Sequence, residues 1–276
     1  MASAQTTNQI LAAIRDWRHW VGNAMLDQLV VPPVEGPMDR DARFTRRMLS
    51  ASAEAERTML EFFELGELDC QEKTWRTARL RLFISHVSDA KAELAPLTTE
   101  LERYGIHSFL AHEAIEPAKN WREVLLDSLD TMDALLSFHS KGFRDSEWCA
   151  QEVGFAFGLG VPVIPVLHGE LPCGFESAVQ GIKWKADSAK EVAAKIVTIL
   201  QDDEDTAIAL GDALARELKF AGSFDYSDFC VAALGKCGEL SDKARRSIEL
   251  ALLLNDQVRG RHGAMALIGQ EEPVPA

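Results

Sequence analysis

The chain is poor in the residues that usually announce a chemistry. Its five cysteines (Cys70, Cys149, Cys173, Cys230, Cys237) are odd in number and scattered, with no C-x-x-C pair. That pattern excludes a disulfide framework and a zinc ribbon, and it points to a reducing, cytoplasmic setting. The seven histidines are spread along the chain and form no H-E-x-x-H or paired Cys/His motif, so no metal is expected. There is no G-x-S-x-G elbow for a serine nucleophile. The longest uncharged run, Val153 to Gly169, is broken by three glycines and two prolines, and it is shorter than a membrane-spanning helix requires. The opening MASAQTTNQ has neither the basic start nor the apolar stretch of a secretory signal.

Basic residues are also in deficit. Lys and Arg total 29 against 43 Asp and Glu, a formal net charge of −14. A duplex nucleic-acid binder needs clustered cations for phosphate, and an anionic membrane surface needs the same, so neither is an expected partner. The deficit is uneven. Residues 1–81 carry 11 basic and 12 acidic groups, residues 82–200 carry 10 and 17, and residues 201–276 carry 8 and 14. The one basic cluster (Arg40, Arg43, Arg46, Arg47) reads as a solvated helix face or as an anion-binding patch.

What the chain has in quantity is apolar material, 47% of 276 residues, enough for a large buried core. Ile10, Leu11, Ile14, Trp17, Val21, Met25 and Leu29 recur at helical spacing, and Val31-Pro-Pro-Val34 ends that stretch. A second helical pattern runs from about Asp39 to Leu65. From Arg79 the pattern changes to short apolar runs alternating with helical ones. Strands are expected at 80–84, 106–110, 134–138, 161–167 and 182–184. Helices are expected at 90–104, 121–129, 146–159 and 188–200. That alternation predicts an α/β fold, a parallel sheet with helices on both faces and its ligand crevice at the strands' carboxyl ends. Ser85, His86 and the loop after Leu110 then share one rim. The tail reads as helices over 208–220, 225–234 and 241–258, with the last dozen residues loose. The expected division is 1–76 helical, 77–200 α/β and 201–276 helical.

Few groups on that rim carry chemistry. Ser88 or Asp89 is the expected N-cap of the first core helix. The loop Ala111–Trp121 is long and polar, as a binding loop or a plain connection would be. The third core helix opens Ser146-Glu-Trp-Cys-Ala-Gln-Glu152, with Ser146 as N-cap and Trp148 and Glu152 four apart on one face. Spacing alone makes Trp148 core and Glu152 solvated. A carboxylate beside an aromatic at a crevice is also what cleavage at a sugar carbon needs, since it hydrogen-bonds ribose hydroxyls and stabilises developing positive charge.

Together these blocks resemble a TIR (Toll/interleukin-1 receptor) domain of the bacterial kind. Leu82-Phe-Ile-Ser-His86 with Ser88-Asp89 is similar to the family's first box. Gly105–Phe109 is similar to its second strand, and Ala111–Trp121 to the following loop. Asp145–Glu152 is similar to the W-x-x-x-E helix, and Gly160–Pro165 to the fourth strand. The chain departs from the family at Ala111 and Ala118, where Asp and Gly are common. The resemblance implies a flavodoxin-like, five-stranded parallel sheet flanked by N- and C-terminal helical segments. It also implies NAD⁺ cleavage to nicotinamide and linear or cyclic ADP-ribose, with NAD⁺ as substrate and no separate cofactor, in anti-phage defence signalling. Glu152 falls on the family's catalytic glutamate. Phe83, Ser85, His86, Glu116, Lys119 and Trp148 fall on substrate-binding positions, and for the pyrophosphate of such a substrate Lys119 or Arg122 is the nearest candidate donor in sequence. The resemblance further implies self-association through this domain and contact with another TIR or effector protein. The alternative it carries is a non-enzymatic adaptor acting by TIR–TIR assembly. The tail is similar to a helical appendix of some bacterial members, on Phe224–Phe229 and Asn255–Val258.

Overall fold

The computed structural model describes residue 75 and residues 79–110, 121–185, 188–259 and 261–269. The expected N-terminal helices, Glu116 and Lys119 in the 111–120 loop, and residues 270–276 lie outside the described residues. All described residues belong to one compact unit, Glu72–Ala276.

Five strands form one parallel sheet in the order β2-β1-β3-β4-β5: β1 Leu80–Ser85, β2 Ile106–Leu110, β3 Ala134–His139, β4 Val163–Leu167 and β5 Ile182–Lys183. This is the α/β class and the five-stranded, flavodoxin-like parallel sheet expected. Between the strands run α1 (Lys91–Glu102), α2 (Trp121–Thr131) and α3 (Glu147–Leu159), and α4 (Ala189–Asp202) follows β5. Alternation along β1 divides its side chains between two cores. Leu80, Leu82 and Ile84 join α1 and α4, whereas Phe83 packs with Phe109, Leu125, Leu129, Leu135 and Val153 of the α2–α3 side. Pro165, which has no N–H to give a ladder, stands where β4 has not yet met β5, whose pairing begins at Val166.

Three local expectations are corrected. Neither Ser88 nor Asp89 caps α1 with its side chain. Ser88–Ala90 is a 3-10 turn, and the Lys91 N–H, the first donor of α1, bonds to its Ser88 carbonyl. The last long helix, which we number α7 (Asp242–Leu254), stops short of Val258. Asn255 leaves the helical conformation there and donates its amide to the carbonyls of Lys219 and Ala221. The end of the chain is not wholly loose, because His262–Leu267 forms a short helix, α8.

Before α7 come α5 (Glu204–Lys219) and α6 (Phe224–Leu234). Leu210, Leu214 and Leu218 of α5 and Leu234 of α6 share the core of β1, α1 and α4. Arg79, just before β1, meets Glu217 at 2.9 Å. The Tyr226 hydroxyl, 2.9 Å from both the Arg103 carbonyl and Glu217, joins α6 to the turn before β2. Gly105 has a positive φ of 73°, and a Cβ placed there would lie 3.0 Å from the Ala213 backbone. Arg79, Arg103 and Gly105 all sit at the amino ends of β1 and β2. The C-terminal helices therefore pack at the end of the sheet opposite Ser85.

Candidate active site

At the carboxyl end of β1, Ser85 Oγ donates a 2.6 Å hydrogen bond to Glu152 Oε2 of α3. Both residues are buried, Glu152 with 6% of its surface exposed. The sequence places Glu152 there through the helix period. Cys149, Val153 and Ala156 form the apolar stripe that α3 turns to the sheet, and Glu152 occupies a position within that stripe. Ser146 begins the helix as expected, its hydroxyl accepting the Cys149 N–H at 3.3 Å. Gly160, at φ 75°, ends it.

Burial governs the electrostatics, and among the described residues no cation offsets it. Desolvation pushes the Glu152 carboxyl up to about 7, and the Ser85 hydrogen bond only partly opposes that rise. The neighbouring Cys149 thiol is raised as well, chiefly by burial, so it is not a thiolate nucleophile. Glu170 behaves oppositely. It accepts the N–H groups of Arg144 (3.0 Å) and Gly142 (2.7 Å), which hold its carboxyl below the usual range and tie the loop before α3 to the end of β4.

The residues expected at the site part company. Ser85 and Glu152 are in contact. His86 is buried next to them, its Nδ1 3.0 Å from the Ile84 carbonyl. Phe83 is fully buried against Phe109, with ring centroids 5.5 Å apart, so it supports the site from the core and does not line it. Trp148 and Glu152 do not share a buried face: Trp148 is 52% exposed. At 100° per residue Trp148 lies about a quarter-turn from Cys149, on the flank of the buried Cys149–Val153–Ala156 stripe. Arg122 is exposed in the first turn of α2.

One cluster escaped the sequence reading. On β3, Ser137 donates to Glu176, which lies in the 3-10 turn Gly174–Ala178, and His139 adjoins both. A polar pair at alternate positions of a strand's carboxyl end is the signal that could have found Ser137 and His139. Nothing local marks Glu176. Among the described residues, no group of three or more His, Cys, Asp or Glu could hold a metal ion. Nor is any described helix long and apolar enough to cross a membrane.

The sheet order and the polar rim at the carboxyl ends of β1 and β3 define a flavodoxin-like α/β domain with a buried acid on its crevice. Residues 82–200 match the family model described as the TIR domain. Over that stretch, a little over two fifths of the chain, the sequence is similar to a TIR domain. One solved structure similar to it is the TIR domain of the Toll-related receptor TRR-2 of Hydra magnipapillata. The two are 18% identical, the match covers 43% of this chain and 94% of that one, and the TM-score is 0.36. No curated protein sequence matches the chain.

Proposed function

We propose that this TIR domain cleaves NAD⁺ at the nicotinamide–ribose bond, as a glycohydrolase or cyclase, with Glu152 as its catalytic acid group. The observation that carries this reading is a buried carboxyl that accepts a hydrogen bond from the Ser85 hydroxyl and is raised to about 7 by desolvation. Such a group favours a cation. The pyridinium ring of NAD⁺ and the ribosyl cation left on cleavage both supply one, and each would draw Glu152 into its ionised form. The carboxylate accepts hydrogen bonds from the ribose hydroxyls. Nicotinamide departs with the electron pair of the C1′–N bond, and water or the adenine ring captures the cation. The resemblance of the five sequence blocks to bacterial defence enzymes supports placing this activity in anti-phage signalling.

TIR domains commonly self-associate, and exposed Leu171 and Phe175, in the connection between β4 and β5, offer such contacts a surface. That observation favours the second reading, an assembly module without turnover. Incubating purified full-length protein with NAD⁺, while following free nicotinamide and molar mass by light scattering, separates the two. Release that Glu152→Gln abolishes supports the enzyme. Assembly with no release at any protein concentration assigns the adaptor.

A further inference from the structure

The cluster at the end of β3 has the form of an oriented base. The Ser137 proton lies toward Glu176 Oε1. His139 Nε2 lies 3.2 Å from Ser137 Oγ and 3.3 Å from Glu176 Oε2, so the ring N–H sits on Nε2, facing these two oxygens. Nδ1 is left with its lone pair, and among the described residues it is buried without a partner. A histidine held through one N–H by a carboxylate, with its other nitrogen free, is in the tautomer a general base requires. It is not a serine-nucleophile relay. In such a relay the serine and the acid face different ring nitrogens, whereas here both meet Nε2.

Strand register places this base beside the proposed site. Ser85 and Ser137 are direct partners across β1 and β3. Two residues earlier, Phe83 and Leu135 are also partners, and both lie in the core under α2 and α3, so the two serines share that face. His139 follows Ser137 on the same face, about 7 Å nearer the carboxyl rim. Its ring rests on Phe143 of that core, with centroids 4.4 Å apart. His139 thus stands one pleat above the serine that adjoins the Ser85–Glu152 pair.

We infer that His139, oriented by Glu176, is the base for the water that captures the ribosyl cation, an assignment that rests on the reading of Glu152 as the NAD⁺-cleaving group. The C1′–N bond breaks and its electron pair leaves with nicotinamide. The water oxygen forms the new C1′–O bond, and one water proton passes to Nδ1. Glu176 stabilises the imidazolium until that proton returns to solvent. The balance is NAD⁺ and water to ADP-ribose, nicotinamide and a proton. Adenine nitrogen, or an added pyridine, attacks with a lone pair and has no proton to lose. The base therefore promotes hydrolysis and leaves the other captures unaided.

The test is a partition measured on full-length protein with NAD⁺ and a fixed concentration of 3-acetylpyridine. Each turnover yields either ADP-ribose or the exchanged dinucleotide, so the ratio does not depend on how much protein is folded. His139→Gln keeps an N–H for Ser137 and Glu176 but has no Nδ1. We expect it to raise the exchange-to-hydrolysis ratio about 100-fold while nicotinamide release changes only a few-fold. Glu176→Gln should move the ratio the same way by a smaller factor, and it serves if His139→Gln does not fold. Intact release with an unchanged ratio overturns the inference and leaves Glu152 standing. No release from the wild-type protein overturns the reading of Glu152, and this assignment with it.

Discussion

Replacing Glu152 with Gln should make the protein more stable at alkaline pH while removing the proposed activity. The folded state keeps the Glu152 proton up to about pH 7, whereas a carboxyl in the unfolded chain gives it up near 4.5. Between those values the folded state binds more protons, so stability falls as pH rises through that window and levels off above it. The whole displacement corresponds to about 3 kcal/mol. Gln is neutral at every pH and still offers an oxygen to the Ser85 hydroxyl, so it imitates the protonated glutamic acid. At pH 8.5 the variant should gain most of that energy, a rise in Tm of roughly 6–12 °C for a unit of this size. At pH 5 the two proteins should melt within about 2 °C of each other. Calorimetric or fluorescence melts of both proteins across pH 5–9 provide the measurement. A variant less stable than wild type at pH 8.5, or a difference equal at both pH values, would refute the claim that Glu152 is an uncompensated buried acid.

Other substitutions probe the surroundings of the site. Ser85→Ala removes a hydrogen bond that holds the Glu152 carboxyl down. The pH at which stability levels off should move above 7, with a loss of about 1–2 kcal/mol in urea melts at pH 5. Gly105→Ala should cost about 2 kcal/mol or more by denaturant titration, because it combines a positive φ with a Cβ pressed on the Ala213 backbone. Ending the chain after Leu200 strips Leu210, Leu214 and Leu218 from the core they share with β1, α1 and α4. That fragment should bind a hydrophobic dye and lose its cooperative melt, whereas a sharp melt would show the C-terminal helices to be dispensable.

The strands were legible almost to the residue, since each is a short apolar run between turn signals and needs no knowledge of its neighbours. Ser146 was legible as a cap for the same reason. The burial of Glu152 was not. A glutamate within a helix reads as solvated, and only the coincidence of its position with the Cys149–Val153–Ala156 stripe hints otherwise. Trp148 was misjudged in the opposite sense, because an aromatic side chain on the flank of a buried stripe reads as core although the packed layers leave it half exposed.

By itself the sequence determined the class of fold, the order of its elements and the five blocks that resemble a TIR domain. These follow from local periodicity, turn chemistry and residues close together in the chain. Tertiary structure alone decided which polar groups lose water and which of them meet. Ser85 and Glu152 are 67 positions apart, and Ser137 and Glu176 are 39 apart. Their contacts depend on strand register and on the packing of α3 over the sheet, as does the weakened acidity of a carboxyl that no cation in the described structure relieves. Pairing across such distances is a property of the assembled sheet, because the desolvation that gives each group its chemistry exists only once the layers have closed.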